Sequence, residues 1–210
     1  MFFTTEDSSD GALRRFIADG NGWDSLHKGG VTTFLRIIDS TRFEWTRDEA
    51  AARASAELYY GNAEGIIYHE GLLYFAAKKI RTLLILDLEN MTYETEITGA
   101  QLEGKGTFNA QPDQIVFENY KRWIYFSEDG GSAPGVYVRD FEGTYRTVFE
   151  GISGGRYDGD ETVGIALSPN RMKLYAGVSV RWMFVCVSVF CTQLTNLTNL
   201  QLSYLCLSTL

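Results

Sequence analysis

Cysteine is missing from most of the chain; Cys186, Cys191 and Cys206 crowd into its end. No disulfide or thiolate metal site can therefore form before Cys186, and three late thiols do not report a redox compartment. Proline is also scarce, 3 beside 21 glycines, which argues against a disordered linker composition and for tight turns. Lysine and arginine number 19 against 27 acids, for a formal charge of -8, and they form no basic stripe. Nucleic acid is thereby an unexpected partner, and cations or cationic groups are the expected ones. The opening "MFFTTEDSSDG" lacks the basic start and apolar run of a secretory signal, so no export address is expected in the chain as written, and its localisation stays unknown. Uninterrupted apolar runs of about 20 residues are absent too, and no membrane span is expected. The two histidines, His27 and His69, have no motif partners, which leaves a histidine-based triad without support.

What the chain does contain is aromatic residues, 12 Tyr and 13 Phe, in short runs between turn signals. Glu64 opens "EGIIYHEGLLYF", Asp113 opens "DQIVFENYKRWIYF" and Glu161 opens "ETVGIALSPNRMKLYAG", evenly spaced along the chain. A repeat of roughly 50 residues built of short strands is the signature of propeller blades. Within one period, residues 65–69, 72–77, 82–88 and 91–97 read as four strands; 114–118, 122–127, 135–139 and 144–149 repeat the count. The third period supplies two strands joined by Ser168-Pro169-Asn170. Three strand-like runs precede these, followed by one helix, "TRDEAAARASAEL" over 46–58, in which Thr46 and Glu49 have the spacing of a capping box. The fold expected is all-β: a β-propeller of about three and a half four-stranded blades with one inserted helix, fewer blades than closure needs.

From Trp182 on the chain carries no charged residue, no Gly and no Pro. Val178-Ser179 can be encoded by GTGAGT, a common start of a eukaryotic intron, and the expectation is that residues 178–210 are an atypical tail translated from a retained intron. A native terminal strand over "FVCVSVF" and an anchoring segment are the other readings. Asn196-Leu197-Thr198 fits a glycosylation triplet without further support.

The candidate chemistry lies in the acids. "YFSEDGG" at 125–131 and "FTTEDSSDG" at 3–11 each set two carboxylates where an apolar run stops. Aligned by period, Glu64, Asp113 and Glu161 would enter the first strand of successive blades. Carboxylates that converge there repel, by about 4 kcal/mol for a pair at ~4 Å in an effective dielectric near 20, unless a hard cation neutralises them. Acids before glycine also make plain turns, and both readings stand. Asp19-Gly20-Asn21-Gly22 is a surface loop, because Gly30 stands where a calcium loop needs its closing Glu. Lys78, Lys79 and Arg81 form a small basic turn, suited to a phosphate group or simply to solvent.

Taken together, "AEGIIYHEGLLYFAAKK", "FNAQPDQIVFENYKRWIYFSEDGG" and "DETVGIALSPNRMKLYAG" resemble successive blade motifs of PhoX-type alkaline phosphatases, relatives once grouped as a domain of unknown function (DUF839). The resemblance covers residues 1–177, and "ALSPNRMKLYAG" alone also suits calcium-dependent lactonases. It implies a six-bladed propeller, monomeric when complete, whose axial calcium and iron ions hydrolyse small-molecule phosphate monoesters. Carried over by position, it implies metal carboxylates at Glu64, Asp113, Glu128 and Glu161, with Glu6 and Asp7 beside them, and phosphate contacts from Lys78 and Lys79. The family's iron-site cysteine and twin-arginine export signal have no counterpart here, so the chain is expected to be a fragment, inactive alone. The rival readings are a non-catalytic, calcium-braced binding propeller and a calcium-dependent lactonase-like hydrolase.

Overall fold

The computed structural model describes residues 1–151, 154–155, 159–171, 173–180, 183–190 and 201–207. Cys191 and the Asn196-Leu197-Thr198 triplet lie outside them. The chain forms two compact units, Met1–Glu96 and Ile97–Leu210.

In the first unit the strands are β1 (Phe2–Thr4), β2 (Arg14–Ala18), β3 (Gly30–Ile37) and β4 (Phe43–Thr46), then helix α1 (Glu49–Tyr59), then β5 (Ala63–His69), β6 (Leu72–Ala77), β7 (Thr82–Asp87) and β8 (Thr92–Ile97). They make two sheets, ordered β1-β2-β3-β4 and β5-β6-β7-β8, each strand lying beside its neighbour in sequence. The early residues are thus a whole four-stranded sheet. Its last strand, the short "FEWT", carries too little alternation to be read from sequence. Alternation explains only the last residues of β3, where Leu35 and Ile37 are buried and Arg36 points out to pair with Glu44, whereas Thr33 and Phe34 are both buried.

Helix α1 starts on Asp48, whose side chain accepts the Ala51 N–H at 3.0 Å. The expected capping box is therefore corrected: Thr46 lies two residues before the cap and accepts the Asp48 N–H instead. Asp is the better cap here because its carboxylate also faces the positive end of the helix dipole. The helix packs onto the first sheet. Ser55 Oγ accepts the Ile37 N–H at 2.9 Å, Tyr60 donates its hydroxyl to the Leu35 carbonyl at 2.6 Å, and Ala52 and Ala56 are fully buried. Small residues on that face let the helix lie close to β3, and one core joins Leu35, Phe43, Tyr60, Phe75, Leu84 and Leu86.

The second unit holds β9 (Leu102–Glu103), β10 (Gln111–Glu118), β11 (Trp123–Asp129), β12 (Gly135–Arg139), β13 (Tyr145–Glu150), β14 (Glu161–Leu167), β15 (Lys173–Val180), β16 (Met183–Phe190) and β17 (Gln201–Leu207). Its sheets are ordered β10-β11-β12-β13-β9 and β14-β15-β16-β17. The two-residue β9 runs parallel to β13 and covers what would be an edge. The "FVCVSVF" segment lies in β16, between β15 and β17 rather than at an edge. Phe108 stacks on Tyr137 with centroids 4.1 Å apart and planes 7° from parallel, beside Phe126 and Tyr145.

Candidate functional site

Each repeat places an irregularity in its first strand at the same phase. Strands β5 and β6 pair Ala63 with Ala77 and then Ile66 with Phe75, which leaves Glu64 and Gly65 opposite one residue. Strands β10 and β11 pair Pro112 with Glu128 and then Ile115 with Phe126, so that Asp113 and Gln114 form the same bulge, and Ser127 Oγ accepts the Gln114 N–H at 2.9 Å. In β14 and β15 the shift falls between Val163 and Ile165. Bulges re-aim side chains, and two of the three carry a carboxylate. Aligned on Ile66, Ile115 and Ile165, the third place belongs to Val163, and Glu161 stands with Asn62 and Gln111. The expected equivalence of Glu64, Asp113 and Glu161 therefore holds for the first two residues and is off by two for the third.

In the first unit the acids are met by cations of the chain itself. Glu6, in the turn after β1, lies 2.6 Å from Arg14 and 3.4 Å from Arg53, which also reaches Glu49 at 3.0 Å. Burial opposes ionisation of Glu6, but the Arg53 hydrogen bond and the charges of both arginines outweigh it and hold its carboxyl below the usual range. Asp7 accepts from Asn62 Nδ2 at 2.6 Å, and the Lys78 Nζ sits 3.4 Å from Asp7 Oδ2 and 3.2 Å from Glu64 Oε1. The Asn62 hydrogen bond is the main reason the Asp7 carboxyl titrates below its usual range, with contributions from Glu64 and Lys78. Thr5 Oγ1 donates to the Glu64 carbonyl at 2.6 Å, tying the first acidic turn to the bulge. Asp7, Glu64 and Lys78 are thus brought together; Glu6 belongs to a separate arginine cluster, and Lys79 is exposed.

In the second unit Glu128 is 1% exposed. One of its oxygens accepts the Ala110 N–H at 2.7 Å; the other lies 3.2 Å from the Gly135 nitrogen and 3.1 Å from the Tyr137 hydroxyl. That hydroxyl is also 2.8 Å from Glu150 Oε1, an oxygen shared with the Thr107 N–H and hydroxyl. Burial drives the Glu128 carboxyl up from its ordinary 4.5 to about 7, the hydrogen bonds from Ala110 and Tyr137 resist, and the nearby Glu150 charge adds to the rise. A tyrosine hydroxyl has one proton. It serves both carboxylates at once only if one of them is itself protonated and donates to it; otherwise it donates to one of the two. Thr162 accepts the Glu128 N–H at 2.7 Å, linking the two sheets of this unit. Asp113 is 9% exposed on β10, and Glu161 opens β14 opposite Ser179.

Among the described residues no three His, Cys, Asp or Glu side chains come together as a metal-holding group. Calcium and iron do not fit Glu6, Asp7 and Glu64 as they stand, because each is engaged by a guanidinium or an ammonium. Sequence reasoning missed Arg14, Arg53, Asn62, Tyr137 and Glu150. Of these, only the two arginines, cations in a chain poor in them, leave a trace that a search for counter-charges to "TTED" would have found.

These acids sit in units of two largely antiparallel sheets each, an all-β, propeller-like architecture. Neither a protein-family model nor a curated protein sequence matches the chain. Among solved structures, its fold is similar to that of Pseudomonas fluorescens PhoX in complex with vanadate, a transition state analogue. The TM-score is 0.57 at 14% identity, over 84% of this chain and 45% of that one. It is also similar to a putative 6-phosphogluconolactonase from Bacteroides uniformis, with TM-score 0.50 and 11% identity, over 95% of this chain and 66% of that one. The chain thus spans less than two thirds of either. At these identities the likeness is one of fold.

Proposed function

We propose that this chain is part of a PhoX-like hydrolase that acts on small phosphate monoesters. The likeness to PhoX over 84% of the chain is the observation that supports this reading. Since the chain spans 45% of that structure, the phosphatase activity, its substrate and its calcium and iron are proposed of the whole protein, with this chain inactive alone. Asp113, Glu128 and Glu161 are the carboxylates proposed as metal ligands of that whole protein. Glu128 would have to exchange the Tyr137 and backbone N–H partners for a cation. Lys78, engaged by Asp7 and Glu64, reaches phosphate only by leaving them, and Lys79 is the freer of the two to do so.

Assaying the full-length gene product against p-nitrophenyl phosphate tests the reading, with and without added calcium and iron, and with this chain alone as the inactive control. Metal-dependent phosphate release that falls on Glu128→Gln with the fold retained supports it. Hydrolysis of a sugar lactone without phosphate release would move the assignment to the lactonase class, which the second fold likeness supports. Calcium binding without either turnover would make the protein a binding propeller.

A further inference from the structure

We propose that the Lys78 ammonium is the resident cation of the Asp7–Glu64 pair, standing where a divalent metal would stand between two carboxylates, so that this pair takes up no calcium while the lysine is present. The inference concerns the first unit alone and holds whether or not the phosphatase reading does.

The donors around Lys78 are those a hard cation selects. Glu64 Oε1 at 3.2 Å and Asp7 Oδ2 at 3.4 Å are carboxylate oxygens from two separate segments, strand β5 and the turn after β1. Asn62 fixes Asp7 through a 2.6 Å hydrogen bond, and the same amide carries a buried Oδ1 without a hydrogen-bond partner. Asn62 holds this place at positive φ, in the left-handed conformation that asparagine accepts more readily than most residues. Its carbonyl in turn accepts the Lys78 N–H at 2.9 Å, so the lysine backbone and the amide are set by one contact. Paired carboxylate oxygens of this kind suit calcium when no ammonium intervenes. The Lys78 and Glu64 side chains are only 16% and 19% exposed, while Asp7 closes the pair from the solvent side at 43%.

Register makes the lysine particular to this repeat. Lys78 follows Ala77, the partner of Ala63; the corresponding places after Glu128 and Val178 hold Asp129 and Ser179. A positive charge thus stands in this repeat where the other two have an acid and a serine.

Calorimetric titration of the chain with calcium, comparing wild type, E64Q, K78Q and the K78Q/E64Q double variant, tests this directly. The expected result is wild-type uptake that E64Q leaves unchanged, together with about one additional calcium in K78Q, bound about tenfold or more tighter than by wild type and lost again in the double variant. Calcium uptake by the wild type that E64Q abolishes would overturn the proposal, as would a folded K78Q that gains no site. Should K78Q fail to fold in buffer, calcium must restore its folding, and failure to do so counts against the inference equally.

Discussion

Burial beside one phenol and a second carboxylate makes stability sensitive to the protonation of Glu128. Its folded-state value, about 7, lies above the ordinary 4.5, so the folded state keeps a proton that the unfolded chain gives up. The corresponding stabilisation is complete below about pH 4.5 and disappears as pH rises through about 7; its size is on the order of 3 kcal/mol. Denaturant titrations at intervals from pH 5 to 8 are expected to show stability falling across that window, and Glu128→Gln is expected to flatten the fall. Equal pH slopes for the two proteins would show that the proton is not held there. A second residue-scale prediction concerns Tyr60. Tyr60→Phe keeps the edge-on contact with Phe75, 5.6 Å between centroids, but strands the Leu35 carbonyl in the core. The loss is expected to be about 1–2 kcal/mol in chemical denaturation.

At the scale of elements, the hairpin turns supply a test of backbone strain. Arg81, Met91, Arg122 and Arg171 each occupy the left-handed region at positive φ, where glycine would be at ease. Arg122 is exposed in the turn between β10 and β11. Arg122→Gly removes left-handed strain of about 1–2 kcal/mol, while the added freedom of the unfolded chain offsets somewhat less. A rise of a few degrees in the melting temperature is the expected outcome; no change or a fall would place a contact of Arg122 above its strain. Elements of this sort were largely legible, because period-two alternation and turn residues report strands wherever one face is buried. The strands β5–β8 and β10–β13 coincide with the runs read from sequence to within a few residues. The helix was legible by its alanines, its cap was not, since Thr46 and Asp48 both qualify as caps and only the chain path out of β4 selects one. Of the candidate site, the acids were visible and their partners were not. Glu6 meets Arg53 across 47 residues and Asp7 meets Lys78 across 71, separations over which local pattern carries no information.

For the whole molecule, the question is whether the two units are also two folding units. Every residue of the first core cluster, from Ala12 to Tyr93, lies within Met1–Glu96, and the aliphatic cluster around Val136 and Ile165 lies wholly beyond it. In the first unit the helix, both sheets and the Glu6 arginine cluster close on one another: the Phe43 N–H donates to the Met91 carbonyl at 3.1 Å and the Tyr93 N–H to the Thr41 carbonyl at 2.8 Å. A unit with its own core and its own backbone pairing satisfies the requirements for independent folding, although at fewer than about 100 residues its margin is small. Residues 1–96 expressed alone are therefore expected to unfold cooperatively in urea, with β-rich circular dichroism and a tyrosine environment that Tyr60→Phe perturbs. Were this fragment instead to show no cooperative transition while the whole chain does, the stability of the first unit would depend on the rest of the chain, and the division into units would be one of geometry without a counterpart in energy.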